Sequence, residues 1–235
     1  MKFLGIQNCE LEGFGLYEIL LREMGVEIDI FPAFSGCPLP AQAGYQAILV
    51  GGTPVSAYAL KGHPFLVAQE QYLRAAAKQG QACLGICFGA QLLAKILEGG
   101  AHRARQKEIG VYELELTSEG KAEPLLRGFP RRFPAFQWHG DAFDLPPAAQ
   151  LLVQGGHCPN QMFRSGRAAG VLFHLELGAG DVAAWAKTYA PELQGFGKSS
   201  GDLLSEFRAR EQKILELARV FVANFVSWTE GERTA

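Results

Sequence analysis

The stretch Ala82-Cys83-Leu84-Gly85-Ile86-Cys87-Phe88-Gly89-Ala90-Gln91 decides the fold. Ala82–Ile86 is short, apolar and preceded by a glycine-bearing turn, which predicts a buried strand. From Phe88 to Leu97 the apolar residues recur at helical spacing, until Gly99-Gly100 stops them. The chain therefore passes from strand to helix through G-x-C-x-G with no room for a loop. That is the setting of a nucleophile elbow. The turn crowds the backbone, so glycines flank the reactive residue, and its side chain is lifted clear of the sheet. The dipole of the following helix favours a thiolate on Cys87. Backbone N–H groups at the same turn suit a developing oxyanion.

The same rhythm extends in both directions. Lys2–Gln7, Val26–Phe31 and Gln46–Val50 read as strands, the last ending at Gly51-Gly52. Leu16–Met24 and Phe65–Lys78 read as helices, closed by Gly25 and Gly80. Alternation of this kind predicts an α/β fold: a mostly parallel central sheet with helices on both faces. Small antiparallel additions follow. Gly110–Leu116 alternates like an exposed strand, and Met162–Arg164 with Ala169–His174 reads as a hairpin turned at Ser165-Gly166. Residues 124–150 are rich in proline and aromatics. The apolar set Leu203, Phe207, Ile214, Leu217, Phe221 and Phe225 predicts one long C-terminal helix over about 203–228, packed on the core. With no repeat, low-complexity segment or linker, residues 1–235 are expected to form a single domain.

Composition narrows the function. Of 235 residues, 48% are hydrophobic and 20% charged, enough to build a sizeable core. The 22 basic and 24 acidic residues give a net charge of −2, so nothing points to nucleic acid or to an anionic membrane surface. The five cysteines are odd in number and form no C-x-x-C, against a disulfide framework or a zinc ribbon. The N-terminus turns polar too soon for a signal peptide, and no run is apolar enough for a membrane span. A reducing cytoplasm is the expected setting. No P-loop and no dinucleotide fingerprint is present, so no cofactor and no metal is expected.

A cysteine nucleophile needs a base, and the chain has five histidines. His174 ends the apolar run from Gly170, and Glu176 follows two residues later, on the same face if the strand continues. Glu176 would then orient one imidazole nitrogen and leave the other for sulfur. The rival is His139, in Gln137-Trp138-His139-Gly140-Asp141, where the following glycine suggests a loop.

These residues together resemble the class I glutamine amidotransferases of the triad type, and stand-alone proteins similar to the glutaminase domain of GMP synthase. The resemblance runs over nearly the whole chain. It is carried by Gly51-Gly52-Thr53-Pro54, the cysteine elbow with Gln91, Glu108-Ile109-Gly110, Gln137–Asp141, Asn160–Phe163 and Phe173–Glu176. It implies a flavodoxin-like fold, with Cys87 as nucleophile, His174 as general base and acid, and Glu176 as the orienting carboxylate. It implies an oxyanion hole from the amides of Gly52 and Phe88. Gln91, Trp138, Gly140 and Asp141 fall where the family contacts its substrate. Two positions depart from the pattern: Leu175 replaces the usual proline between histidine and glutamate, and Leu172 the usual glutamine before Phe173.

The implied reaction is hydrolysis of the side-chain amide of L-glutamine through a cysteinyl thioester, with the ammonia passing to a separate synthetase. A γ-glutamyl peptide or amine hydrolase would use the same triad. A silent regulatory module is a further reading. An esterase similar to dienelactone hydrolase is another, with Asp141 or Asp144 as its acid.

Overall fold

The computed structural model describes residues 1–231. Among these, nine strands form one sheet: β1 Lys2–Gln7, β2 Glu27–Pro32, β3 Ala47–Val50, β4 Ala82–Ile86, β5 Gly100–Leu116, β6 Arg132–Asp144, β7 Gln150–Gln154, β8 Met162–Ser165 and β9 Ala168–Val171. Their order is β2-β1-β3-β4-β9-β8-β7-β5-β6. The first five positions are parallel, and every pairing from β9 outward through β8, β7, β5 and β6 is antiparallel.

Alternation along the parallel strands feeds two cores, because successive side chains point to opposite faces. Phe3, Leu49, Leu84 and Val171 pack in one cluster with Tyr17, Phe221 and Phe225. Leu4, Ile48, Val50 and Cys83 pack in the other with Leu66, Leu73, Leu92 and Leu93. Helices α1 (Gly15–Glu23) and α8 (Glu211–Gly231) thus cover one face; α2 (Pro64–Lys78) and α3 (Phe88–Ile96) cover the other. Short helices α4 (Ser118–Ala122), α5 (Ala179–Thr188), α6 (Ala190–Gly195) and α7 (Ser200–Arg208) complete the chain. No helix among the described residues is long and apolar enough to cross a membrane.

The structure departs from the sequence reading in four places. β5 begins at Gly100, ten residues before the predicted strand, because it pairs along most of its length with β6. Gln137–Asp141 lies within β6 instead of a loop. β9 ends at Val171, so His174 lies beyond it and is held by an isolated bridge to Phe136. The tail is two helices, broken at Ala209-Arg210. Its apolar stripe serves two partners: Phe207 meets Phe136 on β6 (5.6 Å), while Phe221 meets Tyr17 on α1 (5.8 Å). One straight rod does not reach both, and no glycine or proline marks the bend.

Candidate functional site

The parallel strands β3, β4 and β9 end side by side, where open α/β sheets place their ligands. Cys87 follows β4 directly and is the N-cap residue of α3, with φ 52° and ψ −108°. For a residue with a Cβ this conformation costs about 1–3 kcal/mol. The surrounding backbone enforces it. A side chain on Gly85 would strike the Gly89 carbonyl and the Ala90 nitrogen, and one on Gly89 would strike the Val50 carbonyl. The two glycines therefore let α3 turn back tightly against the sheet.

His174 is 2% exposed. Its backbone exchanges hydrogen bonds with Phe136, donating to the Phe136 carbonyl at 2.8 Å and accepting from the Phe136 amide at 3.3 Å. Glu176 is equally buried and lies 2.5 Å from His174 Nδ1. The Glu176 carbonyl accepts from the Leu16 amide at 2.7 Å. The approach of α1 is close enough that Gly15, at φ +44°, leaves no space there for a side chain. Among the described residues, His174 Nε2 makes no geometric hydrogen bond. Burial opposes a charge on the ring. The Glu176 carboxylate and the hydrogen-bonding influence of Cys87 and Glu176 outweigh it, holding the His174 pKa well above its ordinary value. By contrast, burial pushes the Cys83 thiol up to about 12 and the Cys158 thiol also up to about 12.

Cys87 opens onto a cavity of about 240 Å³, also lined by Phe88, Gln91, Trp138, Gly140 and Asp141. His174, Glu176 and Gly52 are not among its lining residues. Gly52 lies beside the elbow: a side chain there would approach Cys87 Cβ at 3.8 Å. The N–H groups of Gly52 and Phe88 have no hydrogen-bond partner among the described residues. Gln91 Nε2 donates to the Asp141 carbonyl at 3.3 Å. The Asp141 carboxylate accepts from Ser56 at 2.5 Å and Tyr58 at 3.1 Å, pinning the segment after β3 over the cavity.

The rival residues lie elsewhere or are engaged. His139 is buried in β6, with Nε2 3.0 Å from Glu108 and Nδ1 2.9 Å from the Asp141 carbonyl, so neither nitrogen is free. Asp144 faces His102 at 3.3 Å. Glu108, His139 and Cys158 bring ligand-type atoms within 4.8 Å of one another. Glu108 also accepts from Gln161 Nε2 at 3.0 Å, so the cluster is a satisfied hydrogen-bond network.

Among the cavity residues that were not foreseen are Glu12, Trp185, Tyr189 and Glu192. Tyr189 donates to Glu12 Oε1 at 2.8 Å, and Trp138 Nε1 donates to Glu192 at 3.0 Å. The only hint in the sequence is the four-residue spacing of Trp185 and Tyr189, which puts both on one helical side.

The class-I glutamine amidotransferase family model matches residues 18–182. The glutamine-hydrolyzing GMP synthase of Aeropyrum pernix is 36% identical over 163 residues, or 67% of this chain. The match spans only 29% of that relative's length. A glutamine-hydrolyzing GMP synthase subunit from Pyrococcus furiosus is 27% identical over 186 residues, covering 78% of this chain and 90% of that one. A crystal structure of a glutamine amidotransferase from Thermotoga maritima superposes with a TM-score of 0.89 at 32% identity, over 96% of this chain and 98% of that one. With the cysteine elbow and the buried His–Glu pair in place, and the family model spanning most of the sequence, the chain belongs to the class-I glutamine amidotransferase family and is an enzyme of that class.

Proposed function

We propose that the chain hydrolyses the side-chain amide of L-glutamine to glutamate and ammonia, with Cys87, His174 and Glu176 as its triad. One observation carries this reading. A strained cysteine at a helix N-terminus opens onto a cavity and acts on a histidine whose one ring nitrogen meets Glu176 and whose other makes no geometric hydrogen bond among the described residues.

The chemistry follows from that geometry. Cys87 thiolate attacks the amide carbon, and charge gathers on the carbonyl oxygen, which the amides of Gly52 and Phe88 receive. His174, held in its protonated form by Glu176, gives a proton to the departing nitrogen. The remaining glutamyl thioester is hydrolysed by water that His174 deprotonates. Gln91, Trp138, Gly140 and Asp141 form the wall for the amino-acid end. Asp141 acts there through its backbone, since its carboxylate is bound to Ser56 and Tyr58.

Residues 1–235 act on this reading as one glutamine amidotransferase domain. The Pyrococcus furiosus relative is named as one subunit of its synthase. By extension, the ammonia goes to a synthetase on another polypeptide. A second reading keeps the triad and replaces ammonia by a larger amine; the Glu12 carboxylate favours it.

Glutamate release from L-glutamine by the purified chain, with Cys87→Ala as control, tests the proposal. Turnover that vanishes in the variant supports it. Turnover that survives, or none in the parent chain, removes it.

A further inference from the structure

Amide hydrolysis divides the cavity into two ends. The reacting carbon lies against Cys87, and the leaving nitrogen lies toward His174, which protonates it. Whatever stands beyond His174 therefore meets the leaving group. The His174 ring lies edge-on to Trp185, with centroids 5.1 Å apart. Trp185 meets Trp138 at 6.1 Å and Tyr189 at 6.4 Å, and Trp138 meets Tyr189 at 5.7 Å. These three rings make an aromatic box. Glu12 enters the same cavity from the segment after β1 and is 8% exposed. One carboxylate oxygen accepts from Tyr189; the other has no hydrogen bond among the described residues and lies over Gly52.

Ammonia as leaving group needs none of this. A buried carboxylate without a cation is unfavourable, and burial raises the Glu12 pKa even though Tyr189 and His174 pull the other way. No lysine or arginine among the described residues lines the cavity. The other two carboxylates that do are engaged: Asp141 with Ser56 and Tyr58, Glu192 with Lys107 and Trp138. Glu12 is left facing the space. A carboxylate beside aromatic faces is a receptor for an ammonium group.

Resting on the cysteine-hydrolase reading above, we infer that the site also takes γ-glutamyl amines whose leaving group carries a second, protonated nitrogen, bound by Glu12 beside Trp185 and Tyr189. Cys87 sulfur bonds to the carbonyl carbon of the γ-glutamyl group, its C–N bond breaks, and that nitrogen takes the proton from His174. The diamine leaves. Water then replaces sulfur, its proton going to His174, and glutamate is released.

Three L-γ-glutamyl amides of matched length test this against L-glutamine: 4-aminobutyl (cationic), pentyl (neutral) and 3-carboxypropyl (anionic). Expected is a kcat/KM for the cationic amide at least about tenfold above the neutral one, about 1.4 kcal/mol, with the anionic amide poorest. Glu12→Gln should erase that preference and leave L-glutamine turnover within about threefold. Tyr189→Phe should reduce the preference less. If L-glutamine is hydrolysed while the three amides are equal, or the anionic one leads, this inference falls and the triad reading stands. The inference also falls if Glu12→Gln keeps the preference. It falls again if that variant costs L-glutamine and all three amides alike, since Glu12 then serves the amino-acid end. No release from any substrate overturns both readings.

Discussion

Two buried histidine–glutamate pairs lie close together in this molecule, and they differ in one bond. In the pair His139–Glu108, Nε2 of the ring meets the carboxylate and Nδ1 meets the Asp141 carbonyl, so the imidazole is saturated. In the pair His174–Glu176, Nδ1 meets the carboxylate and Nε2 makes no geometric hydrogen bond among the described residues, with Cys87 acting on the ring. His139 sits mid-strand, locked on both sides by β5 and its own strand. His174 sits past the end of β9, where the ladder has stopped and a ring edge is left open. A histidine becomes a proton carrier when the fold fixes one of its nitrogens and withholds a partner from the other.

The largest effect that separates the pairs is on turnover. His174→Ala is expected to lower kcat by about 10³-fold or more, since both proton transfers use it, with the circular dichroism spectrum unchanged. If His139→Ala proves the worse of the two, the roles are reversed. Glu176→Ala is expected to cost less, about 10²-fold, because the imidazole remains and only its orientation and charge support are lost. A pH–rate profile sharpens this. Without Glu176 the raised His174 pKa should fall, and an unmoved profile would contradict the coupling. His139→Ala should instead show in denaturant unfolding, as a loss of about 1–3 kcal/mol from leaving Glu108 and the Asp141 carbonyl each one hydrogen bond short. Its kcat should stay within about tenfold of the parent.

The smallest effect concerns Glu12, the third buried carboxylate at the site. Burial, aided by Glu176 and Glu192 and opposed by Tyr189 and His174, lifts its pKa above the ordinary 4.5. The folded chain therefore keeps a proton there over a window above 4.5 in which the unfolded chain has released it. Stability then falls as pH rises through that window. Glu12→Gln removes the effect, so the variant's urea midpoint should gain on the parent's as pH rises above 4.5. A gap that does not change with pH would contradict this.

The parallel half of the sheet was legible because short apolar runs alternate with amphipathic ones that end at Gly25, Gly80 and Gly99, and the elbow announces itself through Gly85 and Gly89. The structure places Glu176 in contact with His174, with Cys87 acting on the same ring. The strand argument for the pair was nonetheless wrong: His174 and Glu176 meet beyond β9, on a segment tied to Phe136 and Leu16. The break at Ala209-Arg210 was hidden because both helices share one apolar stripe. Glu12 was illegible for a different reason. Its burial comes from Tyr189, 177 positions away, and from the close approach of Gly52, and no local pattern records a contact of that range.

All of the proposed chemistry depends on the Cys87 sulfur. An electrophilic glutamine analogue followed by peptide mass spectrometry tests that directly. A single adduct on Cys87, absent from Cys87→Ala and slowed in His174→Ala, is the expected result. An adduct on Cys83 or Cys158, whose thiols burial holds up to about 12, or an undiminished adduct in Cys87→Ala, would contradict it.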